Sequence, residues 1–161
     1  MSQRLLSAGA SLSYCVETTT AGTRPTSGYT KIPEVKTTPS TNQAPNAIDV
    51  TDLAELEQLQ YILGLRDTGG VYEFTANLTA DLITAWNTTL MTAYASGQTA
   101  GKDTWFCISH PKLPDMAYYF KGEPSKCSFN EIAVNAALET TLYVAYQGGA
   151  DIQAAPTFVS A

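Results

Sequence analysis

One histidine, three cysteines and a close-set group of carboxylates are the side chains of this chain with chemistry to offer. A hydrolytic triad needs a histidine beside a Ser or Cys nucleophile and a carboxylate. His110 stands before Pro111 in a predicted loop; Cys107, three residues earlier, falls inside a predicted strand, and no GxSxG frame exists. His110 therefore reads as a loop histidine. Asp49, Asp52, Glu55 and Glu57 are close enough to suggest a hard cation. They lack the glycine and the DxDxDG order of a calcium loop, so they read as a solvated acidic patch or an inter-subunit contact. Cys15, Cys107 and Cys127 are odd in number and without CxxC spacing, which fits reduced thiols packed as small apolar groups in a reducing cytoplasm. Tyr14, Tyr118, Tyr119 and Phe120 could stack sugars or bases, but in alternating strands such rings are core or interface groups. Gly69-Gly70 and Gly148-Gly149 sit in no phosphate-binding frame and read as turns. No cofactor or metal is implied, which points to a structural or binding role.

The elements that would position these residues are mostly strands. Ser11 to Glu17 alternates apolar and polar residues, as do Val71 to Leu78, Thr104 to Ser109 and Ala117 to Gly122. Tyr29 to Thr37 is extended, with Pro33 marking an edge or a bulge. One helix is predicted over about residues 80–96. Thr79 is its N-cap, Asp81 lies in its first turn, and Leu82, Ile83, Trp86, Leu90, Ala93 and Tyr94 form its apolar stripe. Gly97 is the expected C-cap. Residues 49–67 fit both a blurred helix and an extended arm, and a long hairpin-like loop with its partner on another subunit is the better reading. Ile132 to Tyr146 alternates throughout and predicts a strand of roughly 50 Å at ~3.3 Å per residue, far longer than usual. Strands, one helix, then strands make a mainly β (α+β) domain, a sandwich or open barrel with the helix over one face or end.

With 161 residues the chain is most simply one domain: an arm over 1–10, a body over 11–147 with a projecting loop at about 49–70, and a tail over 148–161. Only 15% of residues are charged and the formal net charge is -6, which argues against a nucleic-acid binder because phosphates require a cationic face. No signal-peptide core and no apolar run of membrane-spanning length are expected.

In its order of elements the sequence resembles the major tail tube proteins of long-tailed, non-contractile bacteriophages. The strand VYEFTANL leads into the helix TADLITAWNTTLMTAYASG, then the aromatic pair TWFCIS and AYYFKG, then AVNAALETTLYVAY. The run YTKIPEVKTTPSTNQAPNAIDVTDL is similar to the family's opening strands before a long loop. The likeness covers about residues 10–147 and does not extend to the extra immunoglobulin-like domain of some members.

The resemblance implies a two-sheet β-sandwich flanked by the helix, assembled as hexameric rings whose inner sheets join into one β-barrel. Those rings stack into a virion tail tube that conducts DNA. Asn135, Glu139, Thr141 and Glu131 are then expected to face the lumen, while Val134, Leu138 and Leu142 pack inward. Asp49, Asp52, Glu55, Glu57, Leu59, Tyr61, Ile62, Leu63, Arg66 and Asp67 are expected to touch neighbouring subunits or rings. A ring of six copies carries six times -6, a formal -36, which would repel DNA in transit rather than trap it. Expected partners are further copies of the chain, tape measure, tail terminator and distal tail proteins, and passing genomic DNA, with no membrane. Two other readings stay open: a monomeric sandwich module binding a glycan or a protein, and a tube protein of a related contractile or secretion machine.

Overall fold

In chain order the strands are β1 (Ser11–Val16), β2 (Ser27–Lys31), β3 (Val35–Thr37), β4 (Pro45–Asp49), β5 (Tyr61–Arg66), β6 (Val71–Asn77), β7 (Thr104–Ser109), β8 (Ala117–Pro124), β9 (Glu139–Tyr146), β10 (Asp151–Gln153) and β11 (Thr157–Phe158). They come from a computed structural model that describes residues 9–18, 20–55, 57–67 and 70–159. Most of the expected arm, up to residue 8, lies outside the described residues, as do Thr68 and Gly69 of the turn before β6. The fold is mainly β with one helix of 20 residues, in agreement with the sequence.

The two layers expected of a sandwich are limbs of one continuous sheet, ordered β11-β2-β1-β7-β8-β9-β6-β3, with β10 added on β8 and the β4–β5 hairpin separate. β8 carries the chain from one limb to the other. Its residues Tyr118 to Lys121 pair with β7, and Gly122 to Pro124 pair with β9. Gly122 stands at the crossover, where a Cβ would lie 2.3 Å from Val144 Cγ1 and 3.3 Å from Phe106 Cδ2. Only glycine allows the limbs to approach so closely there.

The sheet must be curled. β2 and β3 lie six strand steps apart in the order, about 29 Å in a flat sheet at ~4.8 Å per step. Yet the chain from Lys31 to Val35 spans at most about 14 Å. The corner it makes is plugged by buried Ile32, whose amide donates to Leu12 O at 2.9 Å. Inside the curl, Leu12, Tyr14, Phe106 and Phe120 of one limb meet Tyr72, Phe74, Leu142 and Val144 of the other.

Helix α1 closes this core. It runs as α-helix over Ala80–Ile83, as π-helix over Thr84–Leu90 and as α-helix again over Met91–Thr99. Thr79 caps it, its hydroxyl accepting from Leu82 N at 3.2 Å. Leu82, Trp86 and Leu90 are fully buried. A spacing of four drifts about a tenth of a turn per repeat on a 3.6-residue helix, and the wider π turn takes up that drift. Ile83, placed in the apolar stripe by sequence, is exposed. The helix also outruns its expected end at Gly97. That glycine is an internal contact point, where a Cβ would sit 2.8 Å from Val16 Cγ1, and the left-handed residue comes later, at Gly101.

The expected strand from Ile132 is half that long. β9 begins at Glu139, because its partner β6 ends at Asn77 and the ladder closes with Leu78 N donating to Leu138 O at 3.0 Å. Upstream, Ala136 N bonds Ala133 O at 3.3 Å and Asn135 adopts φ +66, a left-handed turn that asparagine tolerates. Ile132, Val134 and Leu138 are therefore exposed rather than packed inward; Leu142 is buried as expected.

The segment after Gln147, a tail by sequence, is a belt over the outer face of β1, β2, β7 and β8. β10 pairs with Ala117–Tyr119, Tyr119 Oη donates to Ala154 O at 2.5 Å, and Val159 N bonds Tyr29 O at 2.8 Å. Ala155 and Phe158 thereby pack on a second core of Cys15, Tyr29, Trp105, Cys107, Ala117 and Tyr119. This is why β1 and β7 are buried on both faces.

Two outcomes follow from that second core. A chain ending at Gln147 should lose about 3 kcal/mol of stability and show red-shifted Trp105 emission on denaturant titration. Burial pushes Cys107 up to about 11 and Tyr119 up to about 12, above their ordinary ~8.5 and ~10. The unfolded chain gives up these protons first, so this stability is whole at neutral pH and is lost as pH rises from about 9 through about 12. The urea midpoint at pH 10.5 should fall below that at pH 7.

Candidate assembly surfaces

The side chains that could have done chemistry are used for structure. Cys107 is fully buried beneath the belt, its thiol held protonated by desolvation. His110 Nδ1 accepts from Lys112 N at 3.1 Å and shapes the β7–β8 loop beside a cavity of about 140 Å³. Tyr14, Tyr119 and Phe120 are core rings. Tyr118 is half-buried, its hydroxyl 3.0 Å from that of Tyr72, in the wall of a 390 Å³ cavity shared with Arg66 at the hairpin base.

Three of the four carboxylates of the projecting segment, Asp49, Asp52 and Glu55, build its tip. Asp49 Oδ1 accepts from Thr51 N at 2.9 Å, and the Thr51 hydroxyl, more than this amide, lowers the carboxyl's pKa. Asp52 Oδ1 accepts from Ala54 N at 2.9 Å and Glu55 N at 3.1 Å. Glu55 accepts from Glu57 N, Gln58 N and Gln60 Nε2. Such short side-chain-to-backbone bonds favour turns over helix. They explain why this stretch is a hairpin despite its helix-forming Leu, Glu and Gln residues. No group of three or more His, Cys, Asp or Glu among the described residues is placed to hold a metal ion.

Behind the tip, β4 and β5 pair from Asp49↔Tyr61 to Pro45↔Arg66, with a bulge near Arg66. Ile48 lies over Gly64, whose missing Cβ would be 3.0 Å from Ile48 Cδ1. Both faces of the hairpin are open: Ile62 is exposed on one, and Tyr61, Leu63 and Leu65 on the other. Leu63 is 74% and Leu65 87% accessible, values foreign to a packed strand. Asp67 follows β5 and leads back to the body.

A second exposed apolar segment is the loop from Lys126 to Leu138. Its backbone is tied down by polar groups: Trp86 Nε1 donates to Ser125 O at 2.7 Å, and Asn87 exchanges two bonds with Cys127. Thr140 Oγ1 donates to Ser128 O at 2.6 Å. Phe129, Ile132, Val134 and Leu138 nevertheless point outward. The hairpin contributes eight and this loop four of the nineteen large apolar residues exposed among the described residues. They are concentrated, not scattered, which is the pattern of contact surfaces.

The residues expected to face a lumen fall in two places. Glu139 and Thr141 share the outer face of β9 with Tyr143 and Ala145, opposite Asn77, Thr75, Glu73 and Val71 of β6. Asn135 and Glu131 stand in the loop. Glu139 is matched by Lys36 Nζ at 2.5 Å, and Thr141 Oγ1 accepts from Asn130 at 3.1 Å. The exposed carboxylates of this face are instead Glu73 and Glu123, on either side of β9. Alternation in β6 gives the parity of Glu73, but the strand order that sets it beside β9 is a tertiary fact.

No family model and no curated protein matches the sequence. Among solved structures, a chain of the anti-feeding prophage (AFP) baseplate, a 6-fold symmetrised cryo-EM structure, has a similar fold. It aligns with TM-score 0.59 over 95% of this chain and 96% of that one, at 13% identity. A chain in the tail of an empty GTA particle, from helical refinement with C6 symmetry, aligns with TM-score 0.48 over 94% and 100%, at 12% identity. At 13% identity the AFP baseplate chain shares the backbone fold.

The hairpin tip should yield to one change without disturbing the body. In Asp52→Ala, amide exchange at Ala54 and Glu55 should quicken by roughly fivefold, the ~1 kcal/mol of a lost cap. The melting temperature should stay within about 2 °C, because the tip adds nothing to either core. A global loss of stability would show that the tip is packed on the body.

Proposed function

We propose that this chain is a structural subunit of a phage tail or tail-like particle, forming six-membered rings that stack into a tube. The observation that carries this reading is the hairpin, two-faced, apolar and projecting, which a monomer would gain nothing by displaying. Support comes from the fold it shares, nearly end to end, with a chain of a six-fold symmetrised baseplate. In the finer form of the proposal the particle is a long, non-contractile tail and the tube conducts DNA. Glu73, Glu123 and the net charge of -6 per copy would then keep the wall repulsive to phosphate. Tape measure, terminator and distal tail proteins are partners on this reading, and the virion tail is its location.

A second reading, a ring protein of a related contractile or secretion-type machine, is equally compatible with the fold shared with a chain of a baseplate structure. Both readings predict rings. They differ in whether the assembled particle carries nucleic acid.

Purified protein examined by negative-stain microscopy over rising concentration should show hollow six-fold rings and then tubes. Leu63→Asp with Leu65→Asp should abolish them while circular dichroism and melting temperature stay unchanged. Strictly monomeric protein at every concentration and salt would refute the proposal and leave the binding module in its place.

A further inference from the structure

The hairpin and the 126–138 loop lie at opposite ends of one ladder. Gly70 O, where the hairpin returns, accepts from Tyr146 N, and Leu138 O, where the loop ends, accepts from Leu78 N. Eight residues of extended chain separate those two points, about 26 Å at ~3.3 Å each. The two largest concentrations of exposed apolar side chains therefore stand at opposite ends of one copy. We infer that the 126–138 loop is the seat for the β4–β5 hairpin of a second copy, so that the contact is head-to-tail. This rests on the self-assembly proposed above and adds to it the receiving surface and the direction.

Charge decides against the symmetric alternative, hairpin on hairpin. The hairpin, residues 45–66, holds Asp49, Asp52, Glu55 and Glu57 against a single cation, Arg66, which stands at its base away from the tip. Two such hairpins would set four carboxylates against four, and like charges across an interface are strongly disfavoured. The loop holds one cation, Lys126, and one carboxylate, Glu131, and so does not repel the hairpin. It is also built to receive. Its backbone is held by Trp86, Asn87 and Thr140, and the left-handed turn at Asn135 presents Val134, which is 91% accessible. A surface fixed in advance loses little freedom on docking. A heterologous contact of this kind propagates from copy to copy instead of closing on a pair.

The test uses full-length Leu63→Cys and Val134→Cys variants under a short bismaleimide; the native cysteines are all buried. The expected result is a covalent dimer that forms when the two variants are mixed and assembled, several-fold above either variant alone. Dimers of Leu63→Cys with itself would overturn the inference in favour of a symmetric contact. Rings or tubes that form without the mixed cross-link would overturn the inference while leaving the proposed function standing. Protein that neither assembles nor cross-links would overturn both. Val134→Asp gives an independent reading: it should suppress tubes with an unchanged circular dichroism spectrum, and normal tubes would count against the seat.

Discussion

Between Lys31 and Val35 the chain has four peptide steps in which to pass from one end of the strand order to the other. That short connection forces the curl, and the curl makes one sheet behave as two layers. Every other feature of the body answers to it. Ile32 fills the corner, Gly122 allows β8 to cross between limbs, and α1 lies over the enclosed rings with Leu82, Trp86 and Leu90. The belt then seals the side of the sheet that the curl turns outward, so the same aromatic strands are dry on both faces.

Much of this was legible in the sequence, because strand periodicity and helix capping are local. The limits of β1, β6 and β7 and the Thr79 cap follow from alternation and hydrogen-bonding chemistry within a few residues. What was not legible depends on partners. Ile132 to Leu138 alternates as well as any strand here, yet it has no neighbour beyond Asn77 and turns away at Asn135. Gly97 looks like a helix end and is a point of contact with Val16. The belt shows no period because its burial comes from Trp105, Tyr119 and Tyr29, all far away in the sequence.

The acidic residues of the hairpin show the same division at a finer scale. Their spacing excluded a calcium loop, but only the structure shows that Asp49, Asp52 and Glu55 spend their oxygens on backbone amides of the tip. Glu139 stands on the expected face of β9, and Lys36 neutralises it from β3, a pairing across 103 residues that no local pattern contains. Glu73 and Glu123 reach that face through strand order alone.

The hairpin's separation from both cores has a kinetic consequence. A two-stranded ribbon without a layer to pack on is marginal in water, so in the proposed assembly each copy would order its ribbon at the moment of contact. Ordering of that kind makes the first encounters between free copies slow and unproductive. On the same proposal, addition to an end that already displays the inferred seat would be comparatively fast. On the proposed assembly, the first ring would form slowly and only as concentration rises, while later rings add quickly, which separates when a polymer begins from how long it becomes.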